Sequence, residues 1–358
     1  MAEDVYYRLR DILDKMPNGY PSMEDGLEIK ILKKIFTEEE AEVAVKMRMK
    51  FETAEAMAAR TGLDAEYLKT MLPQMAGHGQ IFGVTIGGTK IYKLAPFVFG
   101  IYEWQVYRLD RELVELCEEY FERGFGEYFW SKAPALTKVV PVEKEIPAGS
   151  VIEPYESVSG LIEKAKSWAV GDCVCKKEKM ILGEKCDRPM EVCMALSPIE
   201  NMFEGYFWGR PVTKEEAYAV LKKAEDAGLV HMTSNTKEGH IYICNCCGCC
   251  CGILRGINEF GLQGSVAQAN YYAVIDPKEC QGCGVCRERC QVRAIVEADG
   301  VSAVQNERCI GCGLCVSGCV HGAARLLPKP AEQTLHPPRD FPQWERERLR
   351  GRGLLAPD

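Results

Sequence analysis

Residues 280–319 read CQGCGVCRERCQVRAIVEADGVSAVQNERCIGCGLCVSGC. Cys280, Cys283, Cys286 and Cys290 follow the spacing C-x2-C-x2-C-x3-C, and Cys309, Cys312, Cys315 and Cys319 repeat it. A duplicated spacing is itself a sign of repeated structure. Thiols at every third position let one loop wrap three corners of a metal–sulfur cube while its backbone N–H groups turn inward. Gly282, Gly284, Gly311 and Gly313 give the backbone the freedom that so tight a wrap needs. The fourth cysteine starts the following helix, points away and ligates the other centre. One [4Fe–4S] cluster is therefore expected on Cys280, Cys283, Cys286 and Cys319, and a second on Cys309, Cys312, Cys315 and Cys290. Four cysteines can also make a tetrahedral zinc site, but such sites usually pair two C-x2-C knuckles.

The stretch closely resembles the two-cluster bacterial ferredoxins. Tyr271–Ile275 and Val301–Val304 are apolar runs of the kind that form their flanking strands. One departure stands out: the proline that usually follows the fourth cysteine is Gln291 in one repeat and Val320 in the other. The resemblance implies a two-cluster, ferredoxin-like βαβ module, placed here at residues 266–328.

The chain holds nineteen cysteines. Cys117 alone lies in the first 172 residues, on an apolar helical stripe, and reads as a core thiol. The ten left over fall in two groups. CVCKKEKMILGEKCDRPMEVC carries Cys173, Cys175, Cys186 and Cys193, and CNCCGCCCG carries Cys244, Cys246, Cys247, Cys249, Cys250 and Cys251. So many free thiols would be a hazard unless they held metal. They allow one or two further clusters, with zinc as the competitor. The simplest partition gives Cys173, Cys175, Cys186 and Cys193 to one site and four of the remaining six to another, although ligands could also cross between the groups. Lys176, Lys177, Lys179, Lys185 and Arg188 bring positive charge that would favour thiolates. Adjacent thiols such as Cys246 and Cys247 point apart and do not easily serve one metal.

Beyond the ferredoxin-like stretch, residues 30–325 resemble a set of 4Fe–4S dicluster-domain proteins of anaerobes. These share a winged-helix-like front, a C-x-C…C…P…C stretch and an ICNCC-G-x-CC-G element. The matching residues are Cys173, Cys175, Cys186, Pro189 and Cys193, then Cys244, Cys246, Cys247, Gly248, Cys250, Cys251 and Gly252. Cys249 occupies the variable place of that element, which marks it as a bystander. The resemblance implies a redox subunit without naming its partner.

The rest of the chain points to an α+β multidomain protein. Residues 1–130 look helical. Thr37 and Glu40 form a capping box, Thr53–Arg60 and Ala65–Met75 read as helix–turn–helix, and Ile81–Ile86 with Lys90–Leu94 read as a hairpin across Gly87-Gly88. That order is winged-helix-like. A longer helix is predicted over 101–123, with Val106, Leu109, Leu113, Cys117 and Tyr120 on one face. Residues 131–265 form the cysteine-rich central domain, with a further helix between Thr213 and Gly228. Residues 329–358, with Pro330, Pro337, Pro338 and Pro342, read as an extended tail in which Phe341 and Trp344 could grip a partner.

Composition narrows the function. Against 44 basic residues stand 52 acidic ones, for a net charge of −8. The segment DAEYLKTMLPQM, where a winged helix would meet DNA, holds one lysine and two acids. Nucleic-acid binding needs phosphate-neutralising charge, so none is expected. The start lacks the features of a signal peptide and no run could span a membrane, so a cytoplasmic protein is expected. The five histidines form no metal-type pair; His240, near Cys244, reads as a loop residue. No phosphate-binding loop, dinucleotide fingerprint or catalytic carboxylate pair is present. The leading expectation is a non-catalytic electron-transfer subunit working between donor and acceptor oxidoreductases. A redox-sensing regulator and an enzyme with an open-site cluster are the alternatives.

Overall fold

The computed structural model describes residues 4–150, 152–184, 186–205 and 208–356. The front of the chain is helical: α1 (Val5–Asp14), α2 (Leu27–Ile35), α3 (Glu38–Ala44), α4 (Ala54–Thr61) and α5 (Ala65–Gly77) lead into the hairpin β1 (Phe82–Ile86) and β2 (Thr89–Lys93). α3 starts on a reciprocal capping box, in which Thr37 Oγ1 accepts the Glu40 N–H while a Glu40 carboxylate oxygen accepts the Thr37 N–H.

The helix predicted over 101–123 is broken. One turn, α6 (Tyr102–Trp104), ends before Asp110, which caps a new helix, α7 (Arg111–Tyr120), by accepting the Leu113 N–H at 2.8 Å. An aspartate able to satisfy its own downstream N–H stops the helix before it and starts another. Leu113, Cys117 and Tyr120 still share a buried face. After α8 (Gly126–Trp130) the chain enters β3 (Thr137–Val140).

The middle of the chain is a six-stranded sheet. α9 (Val158–Lys164) precedes β4 (Ser167–Asp172), and α10 (Val174–Leu182) links β4 to β5 (Glu191–Ser197). β6 (Arg210–Val212), α11 (Lys214–Asp226), β7 (Val230–Ser234), β8 (Tyr242–Cys246) and α12 (Gly252–Asn258) follow. The strand order is β3-β7-β8-β5-β4-β6, every pair antiparallel. α9 and α11 cover one face, where Met194 and Leu196 of β5 and Ile243 of β8 are buried with Ala217 of α11. Strand periodicity sends the intervening residues, Cys193 and then Cys244 and Cys246, to the opposite face.

Near the C terminus lie β9 (Tyr271–Ile275), α13 (Val285–Arg289), β10 (Ile295–Ala298), β11 (Val301–Val304), α14 (Leu314–Ser317) and β12 (Ala324–Pro328). The strand–helix–strand order occurs twice, but no parallel βαβ crossover results. β9 pairs antiparallel with β12, and β10 with β11 across a two-residue Asp299-Gly300 turn.

The tail does not stay extended. Asp340 caps α15 (Phe341–Gly351) by accepting the Gln343 N–H, and Pro342 sits in the first turn, where its missing N–H costs nothing. Trp344 is 1% exposed, and its indole N–H donates to the Ala135 carbonyl at 2.9 Å. The buried Arg348 donates to the carbonyls of Phe129 and Pro134. The tail therefore uses Trp344 on its own chain, with Phe341 stacked over it. One continuous apolar core runs from α1 through the strands and loops of the C-terminal region to Trp344. Among the described residues no helix is long and apolar enough to cross a membrane.

Candidate metal centres

The eight cysteines of 280–319 gather into two quartets, each crossed between the repeats. One cavity is lined by Cys280, Cys283, Cys286 and Cys319 together with Ile275, Val285, His321 and Ala323. The other is lined by Cys290, Cys309, Cys312 and Cys315 with Ala273, Val292, Ile295 and Leu314. The fourth cysteine of each repeat follows a short helix, α13 or α14, rather than starting one as expected, and that helix carries the chain away from its own loop. Gly282 and Gly311 both have positive φ, and a Cβ there would run into the carbonyl oxygens of Gly300 and Tyr271. Only glycine lets the loops sit this close to the neighbouring backbone.

Both quartets suit metal–sulfur chemistry. Backbone N–H groups point at sulfur: Ser302 to Cys280 at 3.4 Å, Ala294 to Cys290 at 3.1 Å, and Ala324 to Cys319 at 3.4 Å. The two sites differ in setting. Cys309 and Cys315 are buried, and burial pushes the Cys312 thiol up to about 12 and the Cys315 thiol well above its ordinary range. Cys283 is exposed, and the N–H groups of Ser302 and Gly282 hold the Cys280 thiol down. Beside this outer quartet Val320 is 89% exposed. Cys286 lies close enough to Cys315 for its charge to be felt there, so the quartets are neighbours.

The ten central thiols divide differently from the simplest partition. Cys173 and Cys175, at the start of α10, Cys193 on β5, Cys244 and Cys246 on β8, and Cys251 at the start of α12 form a closed ring. Around it Cys173 meets Cys175 and Cys193, Cys244 meets Cys193 and Cys246, and Cys251 meets Cys246 and Cys175. The ring thus draws thiols from both groups, because β5 and β8 are paired strands and Cys193 and Cys244 face the same side. Hydrogen bonds from Cys175 and Cys193, with Lys176 nearby, hold the Cys173 thiol well below its ordinary range. Burial works against the Lys176 ammonium, but the surrounding thiols, Cys173 foremost, hold its pKa up. That ammonium is buried and donates to the Asn245 carbonyl at 3.2 Å.

Cys186 leaves the first group and joins Cys247, Cys249 and Cys250. One sulfur from each of the four lies within 4.8 Å of every other. Cys249, the expected bystander, sits inside this group: its sulfur is 3.8 Å from that of Cys186 and 3.6 Å from that of Cys250. The turn 247–250, closed by the Cys251 N–H on the Cys247 carbonyl, brings neighbouring thiols to one side, which adjacent cysteines in a strand cannot do. Sequence reasoning missed Cys249 because nothing in CNCCGCCC marks where strand β8 ends and the turn begins. Lys179 turns away from the thiols to pair with Glu118 and Glu184, while Lys185 lies outside the described residues. His240 meets Thr233 and no thiol. Cys117 is buried in the core, as expected.

Two contacts tie the thiol-rich middle to the C-terminal quartets. Gln291, next to Cys290, accepts the Gly248 N–H at 2.9 Å through its side chain, and its carbonyl accepts from Asn258. Arg289 donates to the carbonyls of Glu225 and Asp226 at the end of α11. Gln291 thus fills the place of the usual proline for a reason: proline has no side-chain acceptor for Gly248.

Comparison with known proteins bears on this region. Residues 272–320 match the family described as 4Fe-4S dicluster domain. No curated protein and no solved structure matches the chain. With two crossed cysteine quartets inside the matched residues, the C-terminal part of the chain is a 4Fe–4S dicluster domain, ferredoxin-like in kind, and the protein is an iron–sulfur protein.

Proposed function

We propose that the chain is an iron–sulfur electron carrier, a redox subunit that passes single electrons between donor and acceptor oxidoreductases without bond chemistry of its own. The observation that carries this reading is the pair of adjacent crossed quartets, one more deeply buried and one reaching the surface at Cys283. Cys280, Cys283, Cys286 and Cys319 would hold one [4Fe–4S] group, and Cys309, Cys312, Cys315 and Cys290 the second. Bound there, such groups supply reversible one-electron chemistry. The chain's own residues do the rest. The N–H groups of Ser302, Ala294 and Ala324 orient the sulfurs. Ala273, Val292, Ile295 and Leu314 keep water from the inner quartet. Around the outer quartet, exposed Cys283 and Val320 leave the approach open to a partner. A net charge of −8 suits a partner with a basic patch.

The six-thiol ring is assigned a further iron–sulfur group, with the Lys176 ammonium offsetting its negative charge. α3, α4 and α5 with the β1–β2 hairpin read as a winged-helix-like platform for protein docking rather than for nucleic acid, since α5 presents Glu66 and a single lysine, Lys69. Free thiols in this number fit a reducing cytoplasm and a life without oxygen.

The test is an EPR spectrum of the anaerobically purified chain after chemical reduction. Signals of two mutually interacting [4Fe–4S] centres are expected. A reduced sample without such signals would refute the reading.

A further inference from the structure

The quartet Cys186, Cys247, Cys249 and Cys250 stands apart from the other thiols in its dimensions. Among the described residues it is the one set of three or more Cys, His, Asp or Glu ligands whose donor atoms all lie within 4.8 Å of one another. The thiols that line the two cavities of the dicluster domain are spread wider than that. This difference separates two kinds of metal site. A cubane places four irons and four sulfides between its thiolates and so holds them well apart. A single tetrahedral ion with metal–sulfur bonds of about 2.3 Å sets its thiolates about 3.8 Å apart. The Cys186–Cys249 and Cys249–Cys250 separations of 3.8 and 3.6 Å match the second case.

We propose that Cys186, Cys247, Cys249 and Cys250 form a mononuclear tetrathiolate site for one zinc ion. Four thiolates in a closed tetrahedron with no added ligand make a structural rather than a catalytic centre. Zinc has no geometric preference of its own and outcompetes ferrous iron for such a donor set. The ion would close a loop. Three of its ligands lie on the turn 247–250 that follows β8, and the fourth lies in the segment between α10 and β5. Lys176, buried between this quartet and the six-thiol ring, counters charge on both. Gly248, inside the turn, meets Gln291 beside Cys290, so the ion would also fix the surface on which the dicluster domain rests. This inference does not rest on the electron-carrier reading.

Zinc and iron are to be measured in one anaerobic preparation of the full chain, together with zinc-edge X-ray absorption. About one zinc per chain, in a shell of four sulfurs near 2.3 Å, is expected. Cys249→Ser, at an exposed position, is expected to weaken zinc retention against a chelator about tenfold or more while the visible iron–sulfur absorption stays. Zinc near zero, iron in its place, nitrogen or oxygen ligands in the zinc shell, or unchanged retention in Cys249→Ser would each overturn the proposal. The X-ray absorption needs no variant, so a misfolded Cys249→Ser protein leaves the test intact. Failure of the electron-carrier reading would appear separately, as missing iron–sulfur absorption in the same sample.

Discussion

Gln291 shows how one residue joins two parts of the chain. Its side chain takes the Gly248 N–H, and its backbone crowds Gly248 so closely that a Cβ there would run into the Gln291 carbonyl oxygen. Gln291→Ala, which orphans the Gly248 N–H, is expected to cost about 1–2 kcal/mol in anaerobic urea unfolding. Gly248→Ala should cost more, because backbone rather than a flexible side chain must move. Equal or smaller loss in Gly248→Ala would contradict the contact. Glu118 makes a second residue-scale case. Burial disfavours its charge, yet Arg255, bidentate at 2.7 and 2.9 Å, and Lys179 at 2.7 Å hold its pKa down to about 2. A carboxyl lowered from its ordinary 4.5 stabilises the fold fully above that pH, and the contribution fades as pH falls toward about 2. Glu118→Gln should therefore be less stable than wild type at pH 7, with the gap narrowing below about pH 4.5. A gap that stays constant with pH would show that the ion pair is not its source. At this scale the sequence was partly legible. Spacing leads to the expectation of crossed quartets for the eight cysteines of 280–319, and the same two sets of four line two neighbouring cavities. Cys249 could not be placed, because a turn, not a spacing, turns its sulfur toward Cys186.

At the scale of elements, the local signals that survived were caps. Thr37 with Glu40 opens α3 as predicted, and Thr213 with Glu216 opens the expected helix α11 in the same way, since a capping box is satisfied within four residues. Asp110 overrode an apolar stripe by the same local logic. The thiol ring needed more than local information. It depends on β5 lying beside β8, and strand order is a property of the whole sheet. The prolines of the tail misled for a related reason: Pro342 is compatible with a helix when it falls in the first turn. Trp344→Ala removes both the buried ring and the bond to the Ala135 carbonyl, and should destabilise by about 3–5 kcal/mol. It should also make the chain sensitive to proteolysis near residue 340. Unchanged protease resistance would mean that α15 does not hold the tail down.

Across the whole molecule, one apolar core joins a helical front, a thiol-lined sheet and a dicluster domain. The thiols occupy three settings: a ring against the sheet, a compact quartet just beyond the end of β8, and two crossed quartets at the C-terminal end. If the ring holds its own iron–sulfur group, Cys244→Ser should lower the iron content by about four per chain while the interacting EPR signals of the dicluster domain persist. Unchanged iron in that variant would remove the ring from the list of cluster sites. The most direct test of the central claim is a count of iron and acid-labile sulfide in the anaerobic wild-type chain. At least about eight of each are expected from the crossed quartets of residues 280–319, rising to about twelve with the ring loaded. Fewer than about eight irons in fully reconstituted protein would contradict two [4Fe–4S] groups on those eight cysteines.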